Sequence, residues 1–492
     1  MLHRTEDQDT GGLGRPSPDG RPSARSRAGV IGVRAIWGLG LLLLAAIVAW
    51  SAFELRRFAG QALAGLDLRR AAWIAGSILV AAAMWGAVLW NRGPFRTHAL
   101  ATGLVAVLAT RLIDVALVPA PLVSDFLTYN QLGVQISEHG PMLAAVPTGY
   151  PMALGVVYAL FGAQPVYAQL LNCLIAVATA ALVYDTARRL WDGNAARWAL
   201  WLFALAPAQI LMTSVLASEA PYGLLLMLAV WLAVRLGSRR FAAALAIGGV
   251  LAASDYVRAT SPALIPAFAV LPFVASVRLR VATAWAAALA LAFLLVLVPV
   301  VAWNLQRQGV LSISPSNYGG WSLLVGTDPA HNGQYNAALI NVVGGTPGTP
   351  EFDQRAGQIA IERLRAKPLQ FLELAVKKFP LMWAIDNYGV FYTMGTASNS
   401  DASASLLLLS QAAYLATVGL ALAGLWRVRG AVPPAVTTMI LILATLVVVH
   451  SFLEVEPRYH AYLVPIFCIL AGPAGAALRL PRLHGARSAA SV

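Results

Sequence analysis

Hydrophobic residues come in blocks of about 20 between residues 35 and 480, separated by short arginine-rich segments. A helix needs roughly 20 apolar residues to cross the hydrocarbon core of a bilayer. The pattern therefore predicts an all-α polytopic membrane protein. About twelve transmembrane helices are expected, over residues 35–53, 71–90, 98–119, 166–187, 194–213, 221–237, 241–256, 260–277, 282–303, 404–426, 432–453 and 459–478.

The composition favours the same class. Hydrophobic residues make up 59% of the 492 positions and charged residues 12%, with a mean hydropathy of +0.68. A soluble domain carries about 25% charged residues. Because apolar blocks recur along the chain, a soluble enzyme with one anchor helix is excluded. Cys173 and Cys468 lie far apart in apolar blocks, so they predict neither a metal site nor a disulfide framework.

The net charge of +13 resides mainly in loop arginines, which indicates topology signals facing anionic lipid rather than nucleic-acid binding. Residues 1–34 are rich in Gly, Pro, Ser and Arg and predict a disordered basic cytoplasmic tail. With both termini cytoplasmic, every predicted inside loop is basic. One outside loop conflicts with this rule, since residues 56–70 carry four arginines.

Under this topology most carboxylates beyond the tail, and all three lysines, face outward. The first long outer segment, residues 120–165, contains Asp125, and its prolines and glycines predict short helices lying on the membrane surface. The second, residues 304–403, combines turns, a Gly/Pro loop and an amphipathic helical stretch. It predicts a small mixed outer cap. Chemistry is therefore expected at the outer face.

Several segments together resemble a known family. They are SDFLTYNQLGVQI, PTGYPMALGVVYALFG, VRATSPALIP, SNYGGWSLLVGTDPAHNG, KPLQFLELAVKKFPLMW and EPRYHAYLVPIF. Their order and position resemble the GT-C class of membrane glycosyltransferases, in the branch similar to protein O-mannosyltransferases and lipid A aminoarabinose transferases.

The resemblance covers about residues 98–480 and implies a GT-C fold. It predicts a transmembrane core over 98–303 with a catalytic outer loop at 120–165, the cap at 304–403 and C-terminal helices at 404–480. Residues 35–97 are expected to form two additional N-terminal helices, and residues 481–492 a cytoplasmic tail.

The resemblance also implies a reaction. A sugar is carried on a polyprenyl phosphate, an acceptor hydroxyl attacks its anomeric carbon, and the lipid phosphate leaves at the outer face of the cytoplasmic membrane. Asp125 matches the catalytic base, and Glu219 matches an acidic residue of the catalytic cavity. A carboxylate in a partly dry cleft is suited to accept the hydroxyl proton. The acceptor is expected to be a glycan, a lipid or a protein.

The donor phosphate and sugar are expected to contact residues that share the outer face, and arginine suits phosphate through its fork of donors. These residues are Arg258, Arg458, Tyr459, Tyr150, Tyr129 and Lys378. The aminoarabinose transferases carry a Glu-Lys pair before the loop proline, where this chain has Ala145 and Val146. The phosphate must therefore be held by other residues here.

Simpler interpretations stand beside each of these roles. Asp125 is equally suited to cap a surface helix, and Asp255 and Arg258 to close a hairpin as a pair. Lysine at a bilayer surface usually extends toward headgroups, which is the default for Lys378. Tyr150, and Arg458 with Tyr459, also suit simple interfacial anchoring.

Arg111 and Asp114 lie three residues apart in one span, which favours an intrahelical ion pair. Carboxylates and phosphate together suit a divalent metal ion, but no ligand spacing demands one, and no metal ligand is assigned. The rival class is a multi-pass transporter or lipid flippase. Few midplane charges, the lack of a clear repeat and the long late outer segment speak against it.

Overall fold

The computed structural model describes residues 24–64, 66–90, 98–238, 240–394 and 401–478, and every regular element in these ranges is a helix. The predicted cytoplasmic tail at 481–492, and residues 1–23 of the predicted N-terminal tail, lie outside the described residues. The α-helices are α1 Ala24–Leu63, α2 Leu68–Trp90, α3 Ala99–Leu117, α4 Ser124–His139, α5 Gly149–Phe161, α6 Pro165–Leu190, α7 Gly193–Ala204, α8 Pro207–Leu211, α9 Glu219–Leu236, α10 Phe241–Val257, α11 Ile265–Ala269, α12 Leu271–Val274, α13 Leu279–Val296, α14 Val298–Gln308, α15 Gly319–Gly326, α16 Ala338–Val343, α17 Pro350–Ala366, α18 Pro368–Trp383, α19 Tyr388–Met394, α20 Asp401–Arg427, α21 Pro434–Phe452 and α22 Val464–Ala477.

Seven of the described helices are long and apolar enough to cross a membrane, or eight spans if the bent pair Gly193–Ala204 and Pro207–Ser214 counts as one. The all-α polytopic class is confirmed, whereas the count of twelve is not. The predicted span at 260–277 is broken into a 3-10 turn and two short helices. Pro262, Pro266 and Pro272 explain this, because proline removes a backbone donor and disrupts a helix interior.

The two N-terminal helices, α1 and α2, pack against the C-terminal part of the chain. Trp37 Nε1 donates a 3.0 Å hydrogen bond to the carbonyl of Leu425 in α20. Arg70 of α2, one of the four arginines that conflict with the predicted topology, pairs with Asp401 at the start of α20, at 2.8 Å. This arginine is therefore held by a protein carboxylate, which gives it a role other than setting topology.

Two short helices occupy the first outer segment and cross closely. A Cβ added at Gly155 of α5 would lie 2.4 Å from Cγ2 of Ile136, and one at Gly133 of α4 would lie 2.8 Å from Cβ of Leu154. Glycine is the one residue that lets the two backbones approach this far. The crossing places the first turn of α4, which contains Asp125, beside the main bundle.

The cap has a small apolar core separate from that of the bundle. Trp321 and Leu324 of α15 pack with Phe352 and Ala356 of α17. The Asn317 N–H donates to the carbonyl of Ala145 at 2.8 Å. The cap therefore rests on the first outer segment.

Candidate active site

Asp125 and Arg458 meet where the first turn of α4 approaches the 3-10 helix Pro457–Leu463. Helix α4 begins at Ser124 with Val123 as its N-cap, so Asp125 lies in the first turn and the interpretation as an N-cap is wrong. Its Oδ2 accepts a 2.6 Å hydrogen bond from Nη2 of Arg458. The Asp125 side chain is 49% exposed, whereas that of Arg458 is 10% exposed. The carboxylate is thus both oriented and open to a second molecule.

Glu219 links Arg458 to a second arginine. Its Oε1 accepts a 2.8 Å hydrogen bond from Nη1 of Arg258 and lies 3.5 Å from Nε of Arg458. Glu219 occupies the first turn of α9, and its side chain is only 3% exposed. Asp125, Arg458, Glu219 and Arg258 therefore form one chain of alternating charge, which we call the ion cluster.

Aromatic rings enclose both guanidinium groups. The Tyr459 ring centroid lies 4.6 Å from Cζ of Arg258 and 5.7 Å from Cζ of Arg458. Phe126 and Tyr392 approach Arg458 at 5.3 and 5.5 Å. A cation over an aromatic face is stabilised most when water is excluded. The rings thus keep the two cations ordered in a dry environment.

The electrostatics keep both arginines cationic. Burial by itself lowers the pKa of Arg258, but the adjacent Glu219 carboxylate and nearby tyrosines raise it above the ordinary range. Burial likewise lowers the pKa of Arg458, but the Glu219 charge, nearby tyrosines and Asp125 outweigh it and raise that pKa. Burial, and then the Asp125 charge, raise the pKa of Tyr129 to about 12, so its hydroxyl stays protonated.

Tyr129 and Tyr150 pack against each other beside the ion cluster. The rings of Tyr129 and Tyr150 meet edge to face with centroids 6.1 Å apart. Tyr150 is buried at the start of α5, and its hydroxyl donates a 2.9 Å hydrogen bond to Oδ1 of Asn172. Tyr150 is therefore part of the protein interior, not an interfacial anchor.

Lys378 lies outside the ion cluster. Its Nζ donates to the carbonyls of Gly326, Ser451 and Leu453 at 2.9, 2.9 and 2.6 Å. An ammonium has three N–H donors, so none is left for a phosphate. Burial lowers the pKa of Lys378 to about 7, and the nearby Glu454 charge opposes that shift. The expectation that Lys378 extends toward headgroups is wrong, because its side chain is enclosed by protein.

Two further expected pairings are absent from the described residues. Asp255 accepts a hydrogen bond from the Ser261 N–H at 3.2 Å, and Arg258 pairs with Glu219 instead. Arg111 does not pair with Asp114. It donates to the carbonyls that end α7, of Phe203 and Ala204, and Asp114 accepts from Ser214. The helices that pack against α3 therefore satisfy both charges.

Sequence reasoning missed Tyr392 and Tyr462, which contact Arg458 and Arg258. Tyr462 lies in the same YHAY run as Tyr459, so that run was a usable signal, but nothing near Tyr392 singles it out. Glu219 also borders a cavity of about 40 Å³ lined by Arg111, Asn172, Gln209 and Tyr462. The part of the chain that the structure describes contains no group of three or more His, Cys, Asp or Glu residues suited to a metal ion.

Comparison with known families points to one class. Residues 145–303 match the family model of dolichyl-phosphate-mannose-protein mannosyltransferases. The matched stretch contains Tyr150, Glu219 and Arg258. The resemblance to GT-C class membrane glycosyltransferases is confirmed by this match over residues 145–303, and the chain is a multi-pass membrane protein. No curated protein sequence matches the chain.

Solved structures of two kinds are similar to the chain. The apo oligosaccharyltransferase of Archaeoglobus fulgidus has 12% identity and a TM-score of 0.46, over 78% of this chain and 50% of that one. ArnT from Cupriavidus metallidurans, bound to undecaprenyl phosphate, has 15% identity and a TM-score of 0.35, over 77% of this chain and 78% of that one. The matched part thus spans half the length of the archaeal enzyme.

Proposed function

We propose that the protein transfers a sugar from a polyprenyl-phosphate donor to an acceptor hydroxyl at the extracytoplasmic face of the cytoplasmic membrane. The ion cluster is the observation that carries this proposal. It combines a half-exposed carboxylate with two buried arginines, which are the groups that a hydroxyl nucleophile and a leaving phosphate require. The family match over residues 145–303 supports the same chemistry.

In the proposed step, the acceptor oxygen attacks the anomeric carbon of the donor sugar. Asp125 takes the hydroxyl proton as the new glycosidic bond forms. The bond from the anomeric carbon to the phosphate oxygen breaks, and the polyprenyl phosphate leaves with that electron pair. The phosphate gains negative charge in this step, so cations already in place stabilise the transition state more than the ground state.

Arg458 and Arg258 are assigned to the donor phosphate. Arg458 also bonds to Asp125, so one guanidinium places the base next to the leaving group. Glu219 holds both arginines from the buried side and acts through them. Tyr129 is assigned to the sugar, Tyr150 packs against Tyr129 from the interior, and the Tyr459 ring contacts both arginines. No step is assigned to a metal ion.

A genetic complementation test addresses this proposal. The gene is deleted and restored as wild type, Asp125→Asn or Glu138→Gln, at equal membrane levels. Envelope glycans and lipid-linked sugars are then compared by mass spectrometry. Glu138 is the matched control, since it lies on the same helix with its side chain 62% exposed. Loss of a general base lowers rates by about 10²–10⁴-fold.

We expect Asp125→Asn to leave one sugar missing and its polyprenyl-phosphate donor accumulated, while Glu138→Gln restores the glycan. The missing mass then identifies the sugar. If Asp125→Asn restores the glycan fully, the base assignment fails. Either another residue is then the base, or the alternative of a transporter or lipid flippase takes precedence, because transport needs no proton acceptor at this carboxylate.

A further inference from the structure

Lys378 joins three separate parts of the chain through one buried ammonium group. Lys378 is 2% exposed to solvent. The three acceptors belong to Gly326 at the end of α15, Ser451 near the end of α21, and Leu453 just after α21. An ammonium has three N–H donors, and that of Lys378 meets three carbonyl oxygens. The contact therefore ties the cap to the end of a span.

The adjacent lysine has a different environment. Lys377 has a side chain 56% exposed and pairs with Glu373 one helical turn away, at 2.7 Å. Exposed pairs of this kind contribute little to stability. The two neighbours thus offer a matched comparison of a buried and an exposed lysine on one helix.

Close packing surrounds the Lys378 contact. A Cβ at Gly326 would lie 2.2 Å from the carbonyl oxygen of Phe452, and one at Gly333 would lie 2.7 Å from Cδ of Lys378. On the cap side, the Glu454 N–H donates to the carbonyl of Ser322 at 2.9 Å, and the Val455 N–H to that of Gly333 at 3.0 Å. Residues 451–455 are therefore held by Lys378 and by the cap together.

This held segment leads directly into the ion cluster. The 3-10 helix Pro457–Leu463 begins two residues after Val455 and carries Arg458, Tyr459 and Tyr462. A shift of residues 451–455 would move the Arg458 guanidinium relative to Asp125 and Glu219. Positioning errors of about 1 Å are enough to lower catalytic rates substantially.

We infer that Lys378 is a positioning residue that fixes residues 451–455 against the cap and thereby holds Arg458 in the ion cluster. It acts through Arg458 and not by touching the donor. The effect on donor binding rests on the proposed function, in which Arg458 contacts the phosphate. The effect on residues 451–455 is independent of the proposed function.

The first measurement uses the full-length protein in lipid nanodiscs without any ligand. Hydrogen exchange over residues 451–458 is compared among wild type, Lys378→Met, Lys378→Arg and Lys377→Met. Methionine keeps the chain length but leaves three buried carbonyls without a donor. We expect faster exchange at the Glu454 and Val455 amides in Lys378→Met, a smaller change in Lys378→Arg and none in Lys377→Met. Unchanged exchange in Lys378→Met overturns the inference.

The second measurement is binding of undecaprenyl phosphate to the same variants by native mass spectrometry. Lys378→Met is expected to weaken binding about tenfold, and Lys377→Met not at all. In an Arg458→Met background, adding Lys378→Met should weaken binding little further, because coupled residues are not additive. If the losses of affinity in the two single variants multiply in the double variant, Lys378 acts on phosphate binding without Arg458. That result overturns the inference.

The two measurements separate two kinds of failure. If wild type does not bind undecaprenyl phosphate, the proposed function fails, while hydrogen exchange still decides whether Lys378 holds residues 451–455. If Lys378→Met does not fold, Gly326→Ala replaces it, since its added Cβ would push the same contact apart without removing a charge. Faster exchange over 451–458 is expected there too, and its absence would count against the inference.

Discussion

Asp125 and Arg458 are 333 positions apart in the chain and are joined by a 2.6 Å hydrogen bond. One residue comes from a short helix of the first outer segment, and the other precedes the last helix. Their contact joins these two distant parts of the chain. It gives the carboxylate that follows the third hydrophobic block a cationic partner.

Arg458→Lys is expected to reduce donor binding even though the charge is kept. A lysine has one nitrogen, so it cannot bond Asp125 while presenting a second nitrogen toward Glu219 and the phosphate. We expect the affinity for undecaprenyl phosphate to fall by about tenfold, in line with the loss of a charge-assisted hydrogen bond. Isothermal titration in detergent measures this, with Arg365→Lys on the exposed face of α17 as the control. Equal affinities for wild type and Arg458→Lys would contradict the phosphate role.

Glu219→Gln is expected to destabilise the protein. The change leaves two buried guanidinium groups that had shared one carboxylate oxygen, and breaking a buried ion pair costs about 3–5 kcal/mol. Thermal unfolding in detergent should show a clear fall in Tm. Glu373→Gln, which removes an exposed pair with Lys377, should leave the Tm unchanged. Equal Tm values for the two variants would show that Glu219 is not the anchor of the cluster.

Tyr459 is expected to act through its ring. The ring lies between the two guanidinium groups, and a desolvated cation–π contact contributes up to about 2 kcal/mol. Tyr459→Phe should keep most of the affinity for undecaprenyl phosphate, and Tyr459→Leu should lose about tenfold or more. A loss of the same size in both variants would assign the role to the hydroxyl instead.

Gly155→Ala is expected to reduce both stability and transfer rate. The added Cβ would lie 2.4 Å from Ile136, so α4 and Asp125 must move away from the bundle. Gly249→Ala in α10 is the control, since no heavy atom outside its own helix lies within 4 Å of the added Cβ. An open helix position gains up to about 1 kcal/mol from alanine. Equal behaviour of the two variants in unfolding and transfer assays would rule out the close crossing.

Glu454 is expected to make stability depend on pH. Burial, and then the nearby Glu456 charge, raise the pKa of Glu454 from 4.5 to about 7. Between these values the folded protein holds a proton that the unfolded chain has lost. The contribution of Glu454 is therefore complete below pH 4.5 and is lost as the pH rises through 7.

Thermal unfolding from pH 4.5 to 8 checks this sign. Wild type should lose stability over that range more steeply than Glu454→Gln, whose side chain does not titrate. A slope in Glu454→Gln as steep as in wild type would contradict the raised pKa of this carboxylate.

Parts of the site followed from the sequence because they depend on local patterns. Asp125 after a hydrophobic block, and the VRATSPALIP and EPRYHAYLVPIF segments, indicated three of the four charged residues, and the resemblance to one class of enzyme added Glu219. The pairing among them did not follow. Asp255 was as close in sequence to Arg258 as any carboxylate, yet Glu219 is the partner, because α9 and not α10 presents its carboxylate to that guanidinium.

The sequence by itself determined that this chain spans a membrane many times, and its loop charges predict that most carboxylates lie at one face. Those properties follow from the hydrophobicity of each block and the charges beside it, which act locally. The tertiary structure decided which charges meet, where proline breaks a span, and that Lys378 is enclosed while Lys377 is exposed. Such contacts join residues far apart in the chain, so they depend on how helices pack and on the requirement that every buried charge find a partner.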